Sequence, residues 1–147
     1  MHVGELWRYP VKSLKGERLD AVDLTEDGFP GDRLVHVRSG SGRVITSRTR
    51  PRLLALHGTL GPAGEPLIDG RPWQADESRV AVRTAAGEDA DLVAYDGLDR
   101  FDVLPLSVAT DGAIAAIGVD RRRFRPTSSS AASRGWPSRP GRAGSCE

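Results

Sequence analysis

The sequence is short of cysteine and of long apolar runs. Its only cysteine is Cys146, next to the last of 147 residues, so no disulfide can form within the chain. This agrees with a reducing compartment, and we expect a cytoplasmic protein. No stretch approaches the roughly 18 apolar residues of a membrane span. The N-terminus also lacks a basic region followed by an apolar run, so we expect no membrane partner.

An excess of charge of either sign is also lacking, since 21 Lys and Arg stand against 20 Asp and Glu. Without residues 127–147, which hold three Arg and one Glu, the balance is 18 positive to 19 negative charges. Such a chain has no global field to attract nucleic acid, and any anion must be held by a local cluster. Binding of nucleic acid through residues 121–123 is a weak alternative, because the few aromatic residues form no stacking platform.

Short apolar runs separated by turn residues make up most of the chain, which is typical of sheets with tight connections. The pattern predicts a mainly β fold, an antiparallel barrel-like domain with little helix. A further strand at 106–110 precedes a predicted short helix at 111–118, with Asp111 as N-cap and Gly118 as its end. The predicted strands before it are 3–9, 19–24, 34–38, 43–46, 52–57, 79–84 and 91–95, with a hairpin at 66–73.

The last 21 residues differ in composition from the rest of the chain. Residues 127–147 contain six Ser, three Arg, three Gly, three Ala and two Pro, with no Val, Leu, Ile or Phe. Such a segment cannot bury enough apolar surface to offset its ordering entropy, so we expect it to be disordered. It is either a native flexible terminus or the product of a shifted reading frame. We favour the second origin because the body ends abruptly at residues 123–126.

Small polar and basic residues gather at two predicted turns. Lys12 and Ser13 end the first strand and offer an ammonium and a hydroxyl group, and Arg33 begins another strand after a Phe-Pro turn. These groups are the components of a phosphate site. Taken alone, a basic cluster at the end of a strand is more often solvated than part of a binding site. We expect this also for most of the arginines in 46–52. In the competing interpretation Asp32 pairs with Arg33 and only fixes the turn.

Several motifs resemble the N-terminal barrel of MOSC proteins in order and in spacing, namely the segments 6–13, 28–33 (G-F-P-G-D-R), 44–48 and 51–53. The resemblance continues through 104–107 and reaches 123–126 (R-F-R-P), which resembles the opening of the MOSC domain proper. The resemblance covers residues 3–126. It implies a barrel-like domain over 1–98, the start of an incomplete MOSC domain over 99–126, and the disordered tail over 127–147. Relatives include the C-terminal domain of molybdenum cofactor sulfurases and the amidoxime-reducing component of mitochondria.

The resemblance implies a molybdenum cofactor (molybdopterin), with Lys12, Ser13 and Arg33 holding its phosphate and pterin and Arg125 as a further contact. In the family a later cysteine normally binds the metal, a soft ligand suited to a thiophilic ion. Cys146 lacks matching neighbours, so we expect no metal ligand in this chain and assign no catalytic residue.

Two functions follow from the resemblance. The first is an oxidoreductase or sulfur carrier that reduces N-hydroxylated compounds or carries sulfur. It would work with redox partners or with a desulfurase that holds pyridoxal phosphate. The second is a truncated, non-catalytic β-barrel remnant that binds at most an oxyanion or a protein partner. Whether the chain is an enzyme stays open.

The remaining metal-ligand residue types have no suitable spacing. His2, His36 and His57 lie far apart in the sequence and form no pair with the spacing of a metal site. We expect them to be structural or surface residues. The acidic runs 89–91 and 96–99 lack the regular spacing of a calcium loop and are interpreted as turns.

Overall fold

The computed structural model describes residues 2–95, 97, 101–102, 104–118 and 125–131. Strands are the commonest element within these residues, which confirms the mainly β prediction. The helices are α1 (Asp76–Ala86), α2 (Asp111–Ile117) and a 3-10 helix (Pro51–Ala55). The strands are β1 (His2–Arg8), β2 (Glu17–Leu19), β3 (Val35–Arg38), β4 (Val44–Ile45), β5 (Gly58–Leu60), β6 (Pro66–Ile68), β7 (Arg71–Pro72), β8 (Asp91–Ala94), β9 (Val108–Thr110) and β10 (Ser128–Ala131).

The strands of the described residues form three sheets, and these do not close into a barrel as expected. The sheets have the strand orders β2-β1-β10-β9, β4-β3-β8 and β5-β6-β7. All pairs are antiparallel except β10 with β9, which run parallel. The hairpin predicted at 66–73 is confirmed as β6-β7, and the strands predicted at 34–38 and 43–46 pair with each other as β3 and β4.

The hydrophobic core lies between the β3 sheet, the 3-10 helix and α1. Apolar side chains of β3, the 3-10 helix, β6, α1 and β8 meet in one buried cluster with the segment that follows β1. Its largest fully buried members are Val11, Leu14, Val35, Val37, Leu53, Ile68 and Val82. Val11 and Leu14 belong to this core. The backbone of the two polar residues between them, Lys12 and Ser13, is therefore held in place from both sides.

The strand predicted at 79–84 is wrong, because these residues lie within α1. Val80 is 59% exposed whereas Val82 is fully buried, and the buried residues Ser78, Val82 and Ala86 are spaced by four. That spacing places them on one face of a helix. Helical start and stop signals are present in the acidic first turn and in Gly87, which lies at positive φ after the last turn.

Two other predicted strands also differ from the structure. Residues 51–55 form a 3-10 helix rather than the strand expected at 52–57, and Pro51 stands in its first turn, where a missing N–H is tolerated. The strand expected at 19–24 is also wrong in its bounds, since β2 spans Glu17–Leu19 and overlaps the prediction only at Leu19.

The short helix predicted after residue 110 is confirmed as α2, with a different N-cap. The side chain of Thr110, rather than that of Asp111, accepts a hydrogen bond from the backbone N–H of Ala113. Gly118 ends the helix in the left-handed conformation with φ of 70°. No helix among the described residues has the length and the apolar content to cross a bilayer.

The disorder expected from residue 127 onward is wrong for its first residues, which form β10. This strand lies between β1 and β9, with Leu6 opposite Ser128 and His2 opposite Ala131. The backbone N–H of Trp7 also donates to the carbonyl of Thr127 at 2.8 Å. Main-chain hydrogen bonds need no apolar side chains, so a run of serines can hold this position. The rest of the predicted tail, 132–147 with Cys146, lies outside the described residues.

Candidate functional site

The end of β1 and the segment that enters β3 are joined by backbone hydrogen bonds. The N–H of Arg33 donates to the carbonyl of Tyr9 at 2.8 Å, and the N–H of Val35 donates to the carbonyl of Pro10 at 3.2 Å. The N–H of Lys12 donates back to the carbonyl of Val35 at 2.7 Å. These bonds place Arg33 beside the residues that follow β1, although about 20 residues separate them in the sequence.

A buried carboxylate fixes this junction. Asp32 has no exposed side-chain surface, and its Oδ1 accepts a hydrogen bond from the backbone N–H of Tyr9 at 2.7 Å. Its Oδ2 lies 3.5 Å from Nη1 of Arg33. Asp32 therefore stabilises the turn, as the competing interpretation held, and it also contacts the guanidinium of Arg33.

The glycines of the G-F-P-G-D-R segment are required by the path of this turn. Gly28 and Gly31 have φ angles of 86° and 84°, a region that side chains disfavour. A Cβ atom on Gly31 would also overlap with Cδ1 of Leu60. The absence of a side chain at Gly31 therefore lets the turn lie close against Leu60 of β5.

All four residues that the sequence proposed as a cofactor site line one cavity of about 540 Å³. Lys12, Ser13, Arg33 and Arg125 come from three separate segments of the chain, and the fold brings them together. Thr46, Ser47 and Arg48, which we expected to be mostly solvated, line the same cavity with Asp102, Leu104 and Ser107. Nothing in the sequence around Asp102 indicated its presence at the site.

Three of these side chains stand on left-handed backbone. Ser13, Arg33 and Arg125 have φ angles of 73°, 53° and 47°, and among the described residues only Asp69 is a further non-glycine residue with positive φ. The left-handed conformation costs about 1–2 kcal/mol for a residue with a side chain. Such backbone persists only where surrounding contacts hold it, and it is concentrated at binding and catalytic sites.

Positive charge dominates the cavity, and among the described residues two of its cations, Arg48 and Arg125, form no salt bridge. Lys12 forms an ion pair of 2.8 Å with Asp102. Arg125 lies with its Cζ 4.4 Å from the centre of the Tyr9 ring, and within the described part of the chain it forms no salt bridge. Burial lowers the pKa of Arg125 and raises the pKa of the Tyr9 hydroxyl. A buried guanidinium without a carboxylate favours an anionic ligand.

A second, smaller cavity of about 350 Å³ adjoins the first and shares Arg125 with it. It is lined by Trp7 of β1 and by Tyr9, which follows β1, together with Leu54 and Pro126. The indole N–H of Trp7 donates to the carboxylate of Glu5 at 3.0 Å. Its walls are more apolar than those of the first cavity, so the phosphate-binding chemistry predicted from the sequence belongs to the first.

The other polar residues singled out in the sequence have structural contacts. The ring of His36 is buried against that of Tyr95 with centroids 3.7 Å apart, and Nε2 of His57 lies 3.0 Å from the carbonyl oxygen of Gly16. Asp91 accepts hydrogen bonds from Arg79. Most of the acidic run 96–99 lies outside the described residues. Among the residues that the structure describes, no three His, Cys, Asp or Glu side chains form a group that could hold a metal ion.

Fold and site therefore define the class of protein. It is a small, mainly β domain with a cationic cavity at the end of its first strand. Residues 1–101 match the family described as MOSC N-terminal beta barrel domain, and the chain belongs to this family. It is also similar to mitochondrial amidoxime reducing component 2 of Bos taurus, with 38% identity over 58 residues. That match covers 37% of this chain and 17% of the bovine protein, so the chain spans only a small part of this relative.

Proposed function

We propose that the 540 Å³ cavity binds the phosphate and the pterin of a molybdenum cofactor. The observation that carries this proposal is the convergence of Lys12, Ser13, Arg33 and Arg125 on one cavity. Two guanidinium groups and an ammonium group supply charge-assisted hydrogen bonds to a phosphate, and the Ser13 hydroxyl supplies a further donor. Family membership supports the same ligand.

The residues present fit the anionic part of such a cofactor. Within the described part of the chain, the Ser13 hydroxyl forms no hydrogen bond to protein, and it lines the cavity together with Arg125, which forms no salt bridge there. The cavity lies within the size range of pockets for small molecules, roughly 300–1,000 Å³. When bound, a molybdenum cofactor supplies redox or sulfur-transfer chemistry. The contribution of this chain is to hold and orient the phosphate end.

The activity of a whole protein that contains this domain is a wider proposal. The name of the bovine relative points to reduction of amidoximes, which are N-hydroxylated compounds. We propose this reaction class, or sulfur transfer, for a complete protein, in cooperation with a redox or desulfurase partner in the cytoplasm. For the described residues alone, the alternative is a non-catalytic domain that binds an oxyanion. Both functions use the same cavity.

The test is a titration with a phosphorylated pterin. Neopterin monophosphate, followed by pterin fluorescence, is added to the wild-type chain and to Lys12→Ala and Arg33→Ala variants. Neopterin without phosphate serves as the matched ligand. We expect the wild type to prefer the phosphorylated compound and each variant to lose about tenfold or more in affinity, since a charge-assisted hydrogen bond contributes roughly 1.5–3 kcal/mol.

Lys15→Ala is the matched control, because Lys15 is an exposed lysine that lines the second cavity and not the first. Its affinity for the phosphorylated pterin should equal that of the wild type. If the wild type does not distinguish neopterin monophosphate from neopterin, or if all variants bind equally, the cavity is not a phosphate site.

A further inference from the structure

Two adjacent residues, Phe101 and Asp102, each contact one cation of the proposed phosphate site. The carboxylate of Asp102 lies 2.8 Å from Nζ of Lys12. The ring of Phe101 has its centroid 5.5 Å from Cζ of Arg33, which is within the range of a cation–π contact. Neither residue belongs to the motifs by which the sequence resembles its family.

The two contacts differ in burial, and this difference gives them different roles. Phe101 is 8% exposed and is held in place by the protein around it. The Asp102 side chain is 65% exposed, whereas that of Lys12 is 12% exposed. Because the Asp102 carboxylate is already largely exposed to water, it can separate from Lys12 and remain solvated. The ammonium of Lys12 stays at the cavity.

A phosphate in the cavity would bind the ammonium of Lys12. In the free protein this ammonium is already paired with the carboxylate of Asp102. The other charged groups that face Asp102 are Arg33 and Arg48. Both attract the carboxylate. Ion pairs with one exposed partner are weak, so an entering phosphate can displace the carboxylate.

We infer that Asp102 is a built-in competitor of the phosphate group and that Phe101 is a positioning residue for Arg33. Asp102 lowers the affinity of the site by occupying Lys12, and Phe101 raises it by directing the guanidinium of Arg33 into the cavity. This inference rests on the proposed phosphate site. It predicts opposite effects for substitutions at two neighbouring residues, which a general loss of structure cannot produce.

The first experiment measures the affinity for neopterin monophosphate of the wild type, of Asp102→Asn and of Asp23→Asn. Asp23 is an exposed carboxylate in the loop after β2 that does not line the cavity, so its variant has the same change in net charge. We expect Asp102→Asn to bind about two- to fivefold more tightly, the factor that corresponds to a weak ion pair. Asp23→Asn should bind like the wild type.

The second experiment replaces Phe101 by Leu and by Tyr. Leucine keeps an apolar side chain but has no aromatic face, so Phe101→Leu should lower the affinity about two- to fivefold, the factor expected when a weak cation–π contact is lost. Tyrosine keeps the face, and Phe101→Tyr should retain wild-type affinity. Thermal unfolding of both variants checks that the fold is intact, and unchanged affinity in Phe101→Leu would overturn the role of Phe101.

The outcomes separate this inference from the proposed function. If the wild type binds the phosphorylated pterin and Asp102→Asn binds it equally or more weakly, Asp102 is no competitor while the phosphate site stands. If Asp102→Asn binds and the wild type does not, Asp102 blocks the site in this chain, so the competition stands while the proposed binding by the wild type is wrong. If neither protein binds, both the site and the inference are wrong.

Discussion

The hydroxyl of Thr127 forms two hydrogen bonds with the backbone of Ser107. Its Oγ1 accepts from the N–H of Ser107 at 2.8 Å and donates to the carbonyl oxygen of the same residue at 2.9 Å. Thr127 is fully buried, and it immediately precedes β10. This pair fixes the entry of β10 into its sheet beside β9.

Thr127→Val removes both hydrogen bonds while keeping the size of the side chain. We expect a loss of about 1–3 kcal/mol in the free energy of unfolding, because two neutral hydrogen bonds are lost from a buried position. Urea unfolding measures this. Thr84→Val is the control, since Thr84 lies on an exposed face of α1 and its substitution should change stability by no more than roughly 0.5 kcal/mol. Equal stability of the two variants would mean that the Thr127 pair contributes nothing.

A shortened chain tests whether β10 is part of the folded domain. A chain that ends at Pro126 lacks β10, so β1 loses one of its two neighbouring strands. Each lost backbone hydrogen bond contributes roughly 0.5–1.5 kcal/mol, and we expect this chain to unfold at a clearly lower temperature than one that ends at Ala131. The same melting temperature for both chains would contradict the observed strand pairing.

The sequence predicted strand pairing correctly where turn residues indicated a hairpin. Asp69-Gly70 between apolar residues identified the β6-β7 hairpin, and both residues have positive φ angles as such a turn requires. The prediction failed at α1, because Val80 and Val82 have the two-residue spacing of one strand face although only Val82 is buried. It also failed at β10, where main-chain pairing with β1 overrides an unfavourable composition. Burial and long-range pairing are tertiary properties that local patterns do not contain.

The four proposed site residues, which line one cavity, were selected because the resemblance supplied an ordered set of motifs. Asp102 was missed, since a single acidic residue next to a phenylalanine carries no signal for an ion pair with Lys12, 90 positions earlier in the chain. Arg48 was noticed but interpreted as solvated. Which charges face a common cavity depends on the turn at Asp32 and on the pairing of β1, and neither can be calculated from spacing alone.

Asp32 and Arg33 should have separable effects on stability and on binding. Asp32→Ala leaves the backbone N–H of Tyr9 without its charged acceptor, so we expect a loss of about 2–3 kcal/mol in unfolding free energy. Arg33→Ala should cost less than about 1 kcal/mol, because its contact with Asp32 is long at 3.5 Å. It should instead weaken phosphorylated-pterin binding. The opposite pattern, a stability loss without an affinity loss, would mean that Arg33 only fixes the turn.

The carboxyl group of Asp102 should titrate below the ordinary value of 3.8. The hydrogen bond from Lys12 is the main cause that lowers its pKa. A depressed pKa means that this contribution to stability is present above 3.8 and is lost as the pH falls through the lower folded value. In Lys12→Met the pKa of Asp102 should rise, which NMR of the side-chain carboxyl can follow. An unchanged titration in Lys12→Met would show that the ion pair does not form in solution.

Ser13 offers the most direct test that backbone strain at this site serves binding. With φ of 73° it occupies a conformation that glycine adopts without penalty. We therefore expect Ser13→Gly to stabilise the folded chain by about 0.5–1 kcal/mol once the greater flexibility of glycine in the unfolded chain is set against the relieved strain. The same substitution removes the hydroxyl from the cavity and should weaken binding of neopterin monophosphate.

Ser13→Ala completes this test, because alanine lacks the hydroxyl but keeps the strain of a side chain at positive φ. We expect both variants to lose affinity by a similar factor and only Ser13→Gly to gain stability. Stability is read from urea unfolding and affinity from pterin fluorescence. Equal stability of the two variants would show that the left-handed backbone is not strained. Wild-type affinity in both would show that the Ser13 hydroxyl does not contact the ligand. The combination of gained stability with lost affinity is the result expected if the fold holds Ser13 in this conformation for binding.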